Sequence, residues 1–278
     1  MRFVSDDRKV ESKSPCMKVI AAGLSRCATS SLQAALESDV LGYEPCMHMA
    51  HIAPHADREK LILAALQETN PKERQKILHK VFDGYQATSD YPGWIFTDDL
   101  MDMYPDAIVI LNQRQSAEAW LESIGQSLQF FGTMWYYVPT FLWQTDRLHY
   151  WLHIYGYERL KERFPNITGL YTTQFYHLHN EWVREEAKKR GRKVVEWYPS
   201  DGWNPVCEAL GKAPPKDGRP FPRLNDSAQM KMVKRILVGR GLISWALLGA
   251  PCGLGGHMGR VWYGSICRFF REVETYFR

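Results

Sequence analysis

The stretch of the chain that most constrains its fold is residues 17–37, MKVIAAGLSRCATSSLQAALE. An apolar run is followed by a short polar loop and then by a segment that places Leu32 and Leu36 on one face. This order predicts a strand, a loop and a helix. The backbone N–H groups of such a loop and of the helix N-terminus converge on one place, which suits an anion. The sequence therefore predicts a phosphate-binding loop, with the guanidinium group of Arg26 beside it.

The loop differs from the nucleoside-triphosphatase pattern G-x-x-x-x-G-K-[ST]. Gly23 and Ser30 fit the first and last positions, but Ala28 stands at the second glycine and Thr29 at the lysine. An ATPase or a kinase needs this lysine on the β- and γ-phosphates. We therefore predict an anion site that needs no Mg²⁺ and does not hydrolyse a nucleoside triphosphate. The alternative is a structural connection whose Ser and Thr side chains only cap the helix.

A second phosphate site is predicted after another strand. Residues 107–112, AIVILN, are almost continuously apolar, as in a buried parallel strand. Arg114 follows at the carboxyl end of this strand, and Ser123 comes nine residues later in a predicted helix. An arginine and a hydroxyl in these positions can hold a phosphate together. The alternative is an ion pair between Arg114 and a local acid, Asp98 or Asp99.

Strand and helix patterns alternate along the chain, which predicts an α/β fold with a small parallel sheet and helices on both faces. Ligands of such sheets bind at the carboxyl ends of the strands. Loops 25–31, 90–94 and 113–116 are therefore expected to meet there. Strands are predicted near 17–24, 85–89, 107–112 and 193–197, and helices over 54–68, 72–82, 139–164 and 173–190, with 41–49 a loop or a short strand.

The positive charge of the chain is concentrated at its C-terminus. The formal net charge is +4, and residues 227–278 hold eight Lys and Arg against two Glu, a difference of +6 that leaves −2 elsewhere. No nucleic-acid-binding face is therefore predicted on the core. The apolar stretch 241–250 is too short to span a bilayer. We expect this tail to pack on the core or to contact a partner; peripheral contact with a membrane surface is the alternative.

The cysteines and the N-terminus indicate a cytoplasmic protein. Six cysteines are scattered without a CxxC pair, so neither a zinc site nor a disulfide framework is predicted. The first 16 residues are polar, lack the pattern of a signal peptide and are expected to be disordered.

Five segments together resemble a known family, the sulfotransferases of fungal type that use 3′-phosphoadenosine 5′-phosphosulfate (PAPS). This resemblance implies a P-loop-type three-layer α/β sandwich over residues 17–226, between a disordered N-terminus, 1–16, and a basic, aromatic, helical tail, 227–278. The last of the five segments is the most specific. The segments are GLSRCATSSLQAALE (23–37), LGYEPCMHM (41–49), SDYPGWIF (89–96), YPDAIVILNQRQSAEAWLES (104–123) and DGWNPVCEALGKAPPKDGRPFPRLND (201–226).

The resemblance implies transfer of a sulfuryl group from PAPS to a hydroxyl or an amine, without a metal. By position, Arg114 and Ser123 would hold the 3′-phosphate of PAPS. The first loop would hold the 5′-phosphosulfate through Ser25, Arg26, Cys27, Ala28, Thr29, Ser30 and Ser31.

Negative charge grows on the leaving oxygen during such a transfer, so a fixed cation should face it, and Arg26 is the candidate. The acceptor needs a base, for which His48 and Asp90 are the candidates. The alternative is that His48 is a hydrogen-bonded structural residue and that Asp90 caps a turn.

Three residues depart from the family pattern: Cys27, Ala28 and Gln115. A methyl group at Ala28, where the family has glycine, makes a positive φ cost about 1 kcal/mol. A second hypothesis is therefore the same fold used by a lyase or cyclase of a hydrophobic metabolite, or by a non-catalytic binder. The aromatic stretch 130–157 suits a pocket for a small lipophilic acceptor, such as a phenol or an alcohol, under either hypothesis, with ordinary core as the alternative.

Overall fold

Five short strands form one parallel sheet within residues 10, 14–224 and 227–249, which the structure, a computed structural model, describes. The strand order across the sheet is β2-β3-β1-β4-β5. The four predicted strands are confirmed, and the second strand, in the segment expected to be a loop or a strand, adds an edge. The strands are β1 (Val19–Ala21), β2 (Cys46–Met47), β3 (Ala87–Thr88), β4 (Ile108–Asn112) and β5 (Val194–Trp197).

Alternate residues of the central strands pack against opposite faces of the sheet. Val19 and Ala21 belong to one buried hydrophobic cluster with Ile110, whereas Ile20 belongs to another with Val109. This alternation follows from the two-residue period of a strand. Helices supply most of the remaining residues of the cluster around Ile20 and several of those around Val19, so the predicted layered α/β fold is confirmed.

The helices on the two faces follow the predicted order. The predicted segments 54–68, 72–82 and 173–190 correspond to helices α2, α3 and α8. The α-helices of the described residues are α1 (Thr29–Leu36), α2 (Ala56–Gln67), α3 (Pro71–Phe82), α4 (Thr97–Met103), α5 (Ala117–Ser127), α6 (Met134–Thr140), α7 (Gln144–Arg163), α8 (Thr173–Lys189), α9 (Asn204–Ala209) and α10 (Ser227–Gly249).

The prediction of one long helix over 139–164 was wrong. The structure has two helices, α6 and α7, and Pro139 lies inside α6 instead of starting a helix. Proline lacks the N–H that continues a helix. At Trp143 the backbone is extended, with φ −95° and ψ 122°, and α7 begins at the next residue. The break turns α7 so that one of its faces lines the cavity described below.

The C-terminal helix α10 packs against α6. A β-carbon on Gly241 would overlap the carbonyl oxygen of Pro139, so only glycine allows this approach. Trp245 Nε1 donates a hydrogen bond to the carbonyl of Val138 at 3.0 Å, and the Arg240 guanidinium pairs with Asp146. The predicted C-terminal helix is thus confirmed over the part of the tail that the structure describes.

The predictions for 1–16 and for 250–278 fall largely outside the described residues. Among the residues that are described, no helix has both the length and the hydrophobicity needed to cross a membrane.

The substitution Gly241→Ala is expected to lower the free energy of unfolding by about 2 kcal/mol, because the added methyl group overpacks the contact between α10 and α6. Urea denaturation followed by tryptophan fluorescence measures this change. Gly239→Ala is the matched control, since a β-carbon there meets nothing within 4 Å. Equal losses in the two variants would contradict the close approach.

Candidate active site

The loop predicted to bind phosphate, residues 22–28 and called the phosphate-binding loop below, is held at the end of β4 by one side chain. The backbone N–H of Gly23 donates to Asn112 Oδ1 at 2.9 Å, and Asn112 Nδ2 donates to the carbonyl of Cys27 at 2.8 Å. A β-carbon on Gly23 would overlap the backbone carbonyl oxygen of Asn112. The first glycine of the motif is therefore needed for contact between two strands, and the amide of Asn112 sets the loop's position.

Two tryptophans hold the middle of the loop. Trp120 Nε1 donates to the carbonyl of Ser25 at 3.0 Å, and Trp94 Nε1 donates to the Ser25 hydroxyl at 3.1 Å. The Ser89 hydroxyl donates to the carbonyl of Thr29 at 3.1 Å. The chain following β3 and helix α5 thus position this loop jointly. Neither tryptophan was among the predicted site residues, because an indole N–H bound to a backbone carbonyl leaves no motif in a sequence.

The loop contains two residues with left-handed backbone geometry. Arg26 has φ 73°, and Ala28 has φ 56° and ψ 31°. Each costs an L-residue with a β-carbon roughly 1–2 kcal/mol. The cost expected for an alanine in place of glycine therefore applies to Ala28, and the rest of the structure holds the loop in this conformation.

Five residues predicted to bind the cofactor do not line the cavity described below: Cys27, Ala28, Ser31, Arg114 and Ser123. Cys27 is buried in the hydrophobic core, and burial raises the pKa of its thiol to about 12. The Ser31 hydroxyl accepts a hydrogen bond from the backbone N–H of Leu224 at 3.0 Å. These two positions present a buried thiol and an engaged hydroxyl, so at Cys27 the backbone alone is suited to an anion.

The two predicted phosphate sites meet at one hydroxyl group. Arg26 Nε donates to Ser123 Oγ at 3.3 Å, and Arg114 Nη2 donates to the same oxygen at 3.0 Å. Two guanidinium groups that bond the same oxygen atom repel each other, and a nearby anion would offset that repulsion. The fold thus brings together three residues that lie up to 97 positions apart in the sequence.

The alternative partners of Arg114 are engaged elsewhere. Asp99 pairs with Arg74 and Arg159, and Asp98 pairs with Arg163. Arg114 Nε is buried and has no hydrogen-bond partner among the residues that the structure describes. Its backbone N–H donates to the Tyr176 hydroxyl at 3.0 Å, which fixes the start of the loop. The ion pair proposed as the alternative is therefore absent from the described residues.

The predicted bases His48 and Asp90 lie beside the loop. His48 Nε2 is 3.4 Å from the hydroxyls of both Thr29 and Ser30 and 3.5 Å from Asp90 Oδ2. Its Nδ1 accepts a hydrogen bond from the backbone N–H of Ala50 at 3.3 Å. Because a backbone N–H can only donate, the neutral imidazole carries its proton on Nε2. His48 therefore presents a hydrogen-bond donor to the Thr29 and Ser30 hydroxyls and to the neighbouring Asp90 carboxylate.

Asp90 is both strained and incompletely bonded. Its φ is 75°, and it is 7% exposed. Its Oδ1 is buried and has no hydrogen-bond partner in the described part of the chain. A buried unsatisfied oxygen on a strained residue is unfavourable for folding, and such features concentrate at functional sites.

A cavity of about 400 Å³ adjoins the loop. Arg26, Thr29, Ser30, His48 and Asp90 line it together with apolar residues of several helices. The lining residues of α10, which motif analysis missed because that helix carries no site-like pattern, are Met230, Val233, Ile236, Leu237 and Arg240.

The aromatic stretch 130–157 contributes both to the cavity and to the hydrophobic core, the two alternatives that the sequence left open. Phe131 and Tyr136 line the cavity. Tyr137 and Tyr150 pack together in a buried cluster, with ring centroids 4.3 Å apart. Trp135 is 82% exposed and belongs neither to the lining of the cavity nor to this buried cluster. No group of His, Cys, Asp and Glu residues in the described ranges has the arrangement of a metal site.

Comparison with known proteins agrees with this geometry. A family model for a sulfotransferase domain matches residues 18–230. The Ava biosynthesis cluster protein M of Aspergillus versicolor is 31% identical over 221 residues, which cover 75% of this chain and 80% of that protein. The chain therefore belongs to the sulfotransferase family, and the predicted P-loop fold is confirmed. The family implies a sulfonate donor.

The substitution Ala28→Gly is expected to raise the free energy of unfolding by about 1 kcal/mol, because glycine adopts positive φ without the clash of a β-carbon. Chemical denaturation measures the change. Ala34→Gly in the middle of α1 is the control and should lower stability by about 1 kcal/mol, since helical geometry favours alanine. A loss of stability in Ala28→Gly would contradict the left-handed conformation.

Proposed function

We propose that the protein transfers a sulfuryl group from PAPS to a hydroxyl group of a small lipophilic acceptor, with an amine as the less favoured acceptor group. One observation carries the proposal: Arg26 and Arg114, from loops after two adjacent strands, meet at the Ser123 hydroxyl. The convergence brings two cations to the carboxyl edge of the sheet, where ligands of such folds bind.

The residues present fit a donor with separate phosphate groups. The Ser123 oxygen accepts from both arginines, so its own hydrogen remains for an anion. Arg114 Nε, buried without a partner in the described chain, would gain one from a phosphate oxygen. Arg114 and Ser123 would hold the 3′-phosphate, and Arg26 with the backbone of loop 22–28, Thr29 and Ser30 would hold the 5′-phosphosulfate.

When bound, PAPS supplies a sulfuryl group attached to a stable leaving group, adenosine 3′,5′-bisphosphate. Arg26 lines the cavity and also bonds Ser123, so its charge lies between the two phosphate sites. This cation and the loop N–H groups stabilise the negative charge that develops on the leaving oxygen. A divalent cation is therefore not needed for that charge.

Asp90 is the residue that accepts the proton of the acceptor hydroxyl. His48 Nδ1 accepts from Ala50, so the proton of the neutral ring is on Nε2, and that nitrogen has no lone pair with which to accept another proton. Asp90 Oδ1 has no other partner among the described residues. As the acceptor oxygen bonds to sulfur and the bond from sulfur to the phosphate oxygen breaks, the proton passes to the Asp90 carboxylate. His48 orients that carboxylate.

The acceptor is lipophilic because most of the residues that line the cavity beyond the loop are apolar. They include Leu152, Leu160, Leu170 and Phe131. The name of the Aspergillus relative refers to a biosynthesis cluster, which supports a role in secondary metabolism.

The substitution Arg114→Met is expected to weaken binding of adenosine 3′,5′-bisphosphate by about a hundredfold, because it removes a charge-assisted contact to a phosphate. Isothermal titration calorimetry measures the affinity. Arg235→Met, which removes an exposed arginine of α10, is the matched control and should leave it unchanged.

Wild-type protein that does not bind the bisphosphate would overturn the proposal and favour a repurposed pocket. Equal weakening in the two arginine variants would instead reject the role of Arg114.

The substitution Asp90→Asn is expected to lower kcat by about a hundredfold or more while bisphosphate affinity is kept, because it removes the proton acceptor. Asparagine tolerates the left-handed conformation as aspartate does, so the fold is retained. His48→Ala should lower kcat less. The reverse order of the two losses, measured by sulfated product formed from PAPS, would make His48 the base.

A further inference from the structure

Two histidines of α7 line the cavity, on an element separate from the phosphate-binding loop. His149, His153 and Gly156 fall on one face of α7, and all three line the cavity. Gly156 faces Tyr91, the residue after Asp90, since a β-carbon there would lie 3.9 Å from the Tyr91 hydroxyl. His149 is seven residues earlier, which is about 10 Å along the helix.

His153 presents a hydrogen-bond acceptor. Its Nδ1 is 3.0 Å from the carbonyl oxygen of His149. A carbonyl oxygen can only accept, so Nδ1 carries the proton of the neutral ring and Nε2 carries the lone pair. Burial lowers the pKa of His153, which keeps the ring neutral.

His149 presents a hydrogen-bond donor. Its Nδ1 is 3.3 Å from Oε1 of Glu59, a fully buried residue of α2. Burial, with Asp146 nearby, raises the pKa of Glu59 to about 10, and burial next to His153 lowers the pKa of His149. Both groups are therefore neutral at pH 7. Glu59 Oε2 is buried and has no hydrogen-bond partner among the described residues, so the acid proton is placed on Oε1, where His149 Nδ1 accepts it, and the imidazole proton is then on Nε2.

The surroundings of the two rings are aromatic and without net charge. The ring centroids of His149 and His153 are 5.0 Å apart, and the Phe131 ring contacts both. Asp146 lies nearby but is paired with Arg240. No described residue forms a hydrogen bond with Nε2 of either histidine. His149 Nε2 can therefore donate a hydrogen bond and His153 Nε2 can accept one in a mostly apolar cavity. This pair suits a neutral ligand group that both donates and accepts.

We propose that His149 and His153 form a subsite that binds a second polar group of the acceptor, a neutral hydroxyl or an amide, while the reacting hydroxyl lies near Asp90. The inference rests on the proposed function for what happens at the Asp90 end, but the subsite is a binding site in its own right. The acceptor class that it defines is a lipophilic molecule with a second polar group apart from the reacting hydroxyl. A charged second group is disfavoured, because both imidazoles and Glu59 are neutral.

Two phenols with the same biphenyl skeleton test the subsite. The probes are para-hydroxybiphenyl and para,para′-dihydroxybiphenyl, which differ by one hydroxyl at the far end. Calorimetric titration into the full-length protein with adenosine 3′,5′-bisphosphate present should give about tenfold tighter binding of the dihydroxy compound, the effect of one or two added hydrogen bonds. Equal affinities, or no binding of either phenol, would overturn the subsite.

Variants connect the preference to the histidines. His149→Phe and His153→Phe keep an aromatic ring and should abolish the preference. His177→Phe, an exposed histidine of α8, is the matched control and should keep it. Glu59→Gln tests the same site if a phenylalanine variant does not fold, because glutamine has nearly the shape of a neutral glutamic acid. This variant should keep the preference, since an amide N–H replaces the acid proton that bonds His149. A preference unchanged in His149→Phe and His153→Phe would place the second hydroxyl elsewhere and overturn the proposal.

Turnover of the same phenols separates this proposal from the proposed function. A dihydroxy preference without any sulfated product from PAPS would support the subsite and contradict the sulfotransferase activity. Sulfation of both phenols with equal KM would support the activity and contradict the subsite.

Discussion

The amide of Asn112 is the contact on which the site depends. It accepts from the N–H of Gly23 and donates to the carbonyl of Cys27, so one side chain at the end of β4 fixes both ends of the phosphate-binding loop. Arg114 follows two residues later on the same chain segment, and Arg26 lies between the two bonded loop residues. The spacing between the two guanidinium groups is therefore set by the pairing of β1 with β4.

That arrangement concentrates unfavourable features at one site, and a bound anion would offset one of them, the repulsion between the two guanidinium groups. Arg26 and Ala28 have left-handed backbones, two cations share the Ser123 hydroxyl, and Asp90 is strained with a buried oxygen that no described residue bonds. Such features persist only where the surrounding structure fixes them. Here the two tryptophans that bond Ser25 and the core around Cys27 provide that support.

Sequence patterns predicted the sheet, the loop, and the pairing of Arg114 with Ser123, because each depends on local periodicity or on residues placed at strand ends. They did not predict the break at Trp143, since a proline at 139 is compatible with either the start or the interior of a helix. Nor did they reveal Trp94, Trp120 or the histidines of α7, whose roles depend on tertiary contacts. The choice between His48 and Asp90 required the hydrogen bond from Ala50, which no motif encodes.

A crystal structure with bound adenosine 3′,5′-bisphosphate tests the central claim most directly, which is that Arg26 and Arg114 form the two halves of one anion site. The account predicts a 3′-phosphate on Arg114 and the Ser123 hydroxyl, and a 5′-phosphate at loop 22–28 with Arg26 beside it. A bisphosphate bound elsewhere, or one whose two phosphates leave Ser123 bonded only to the arginines, would contradict it.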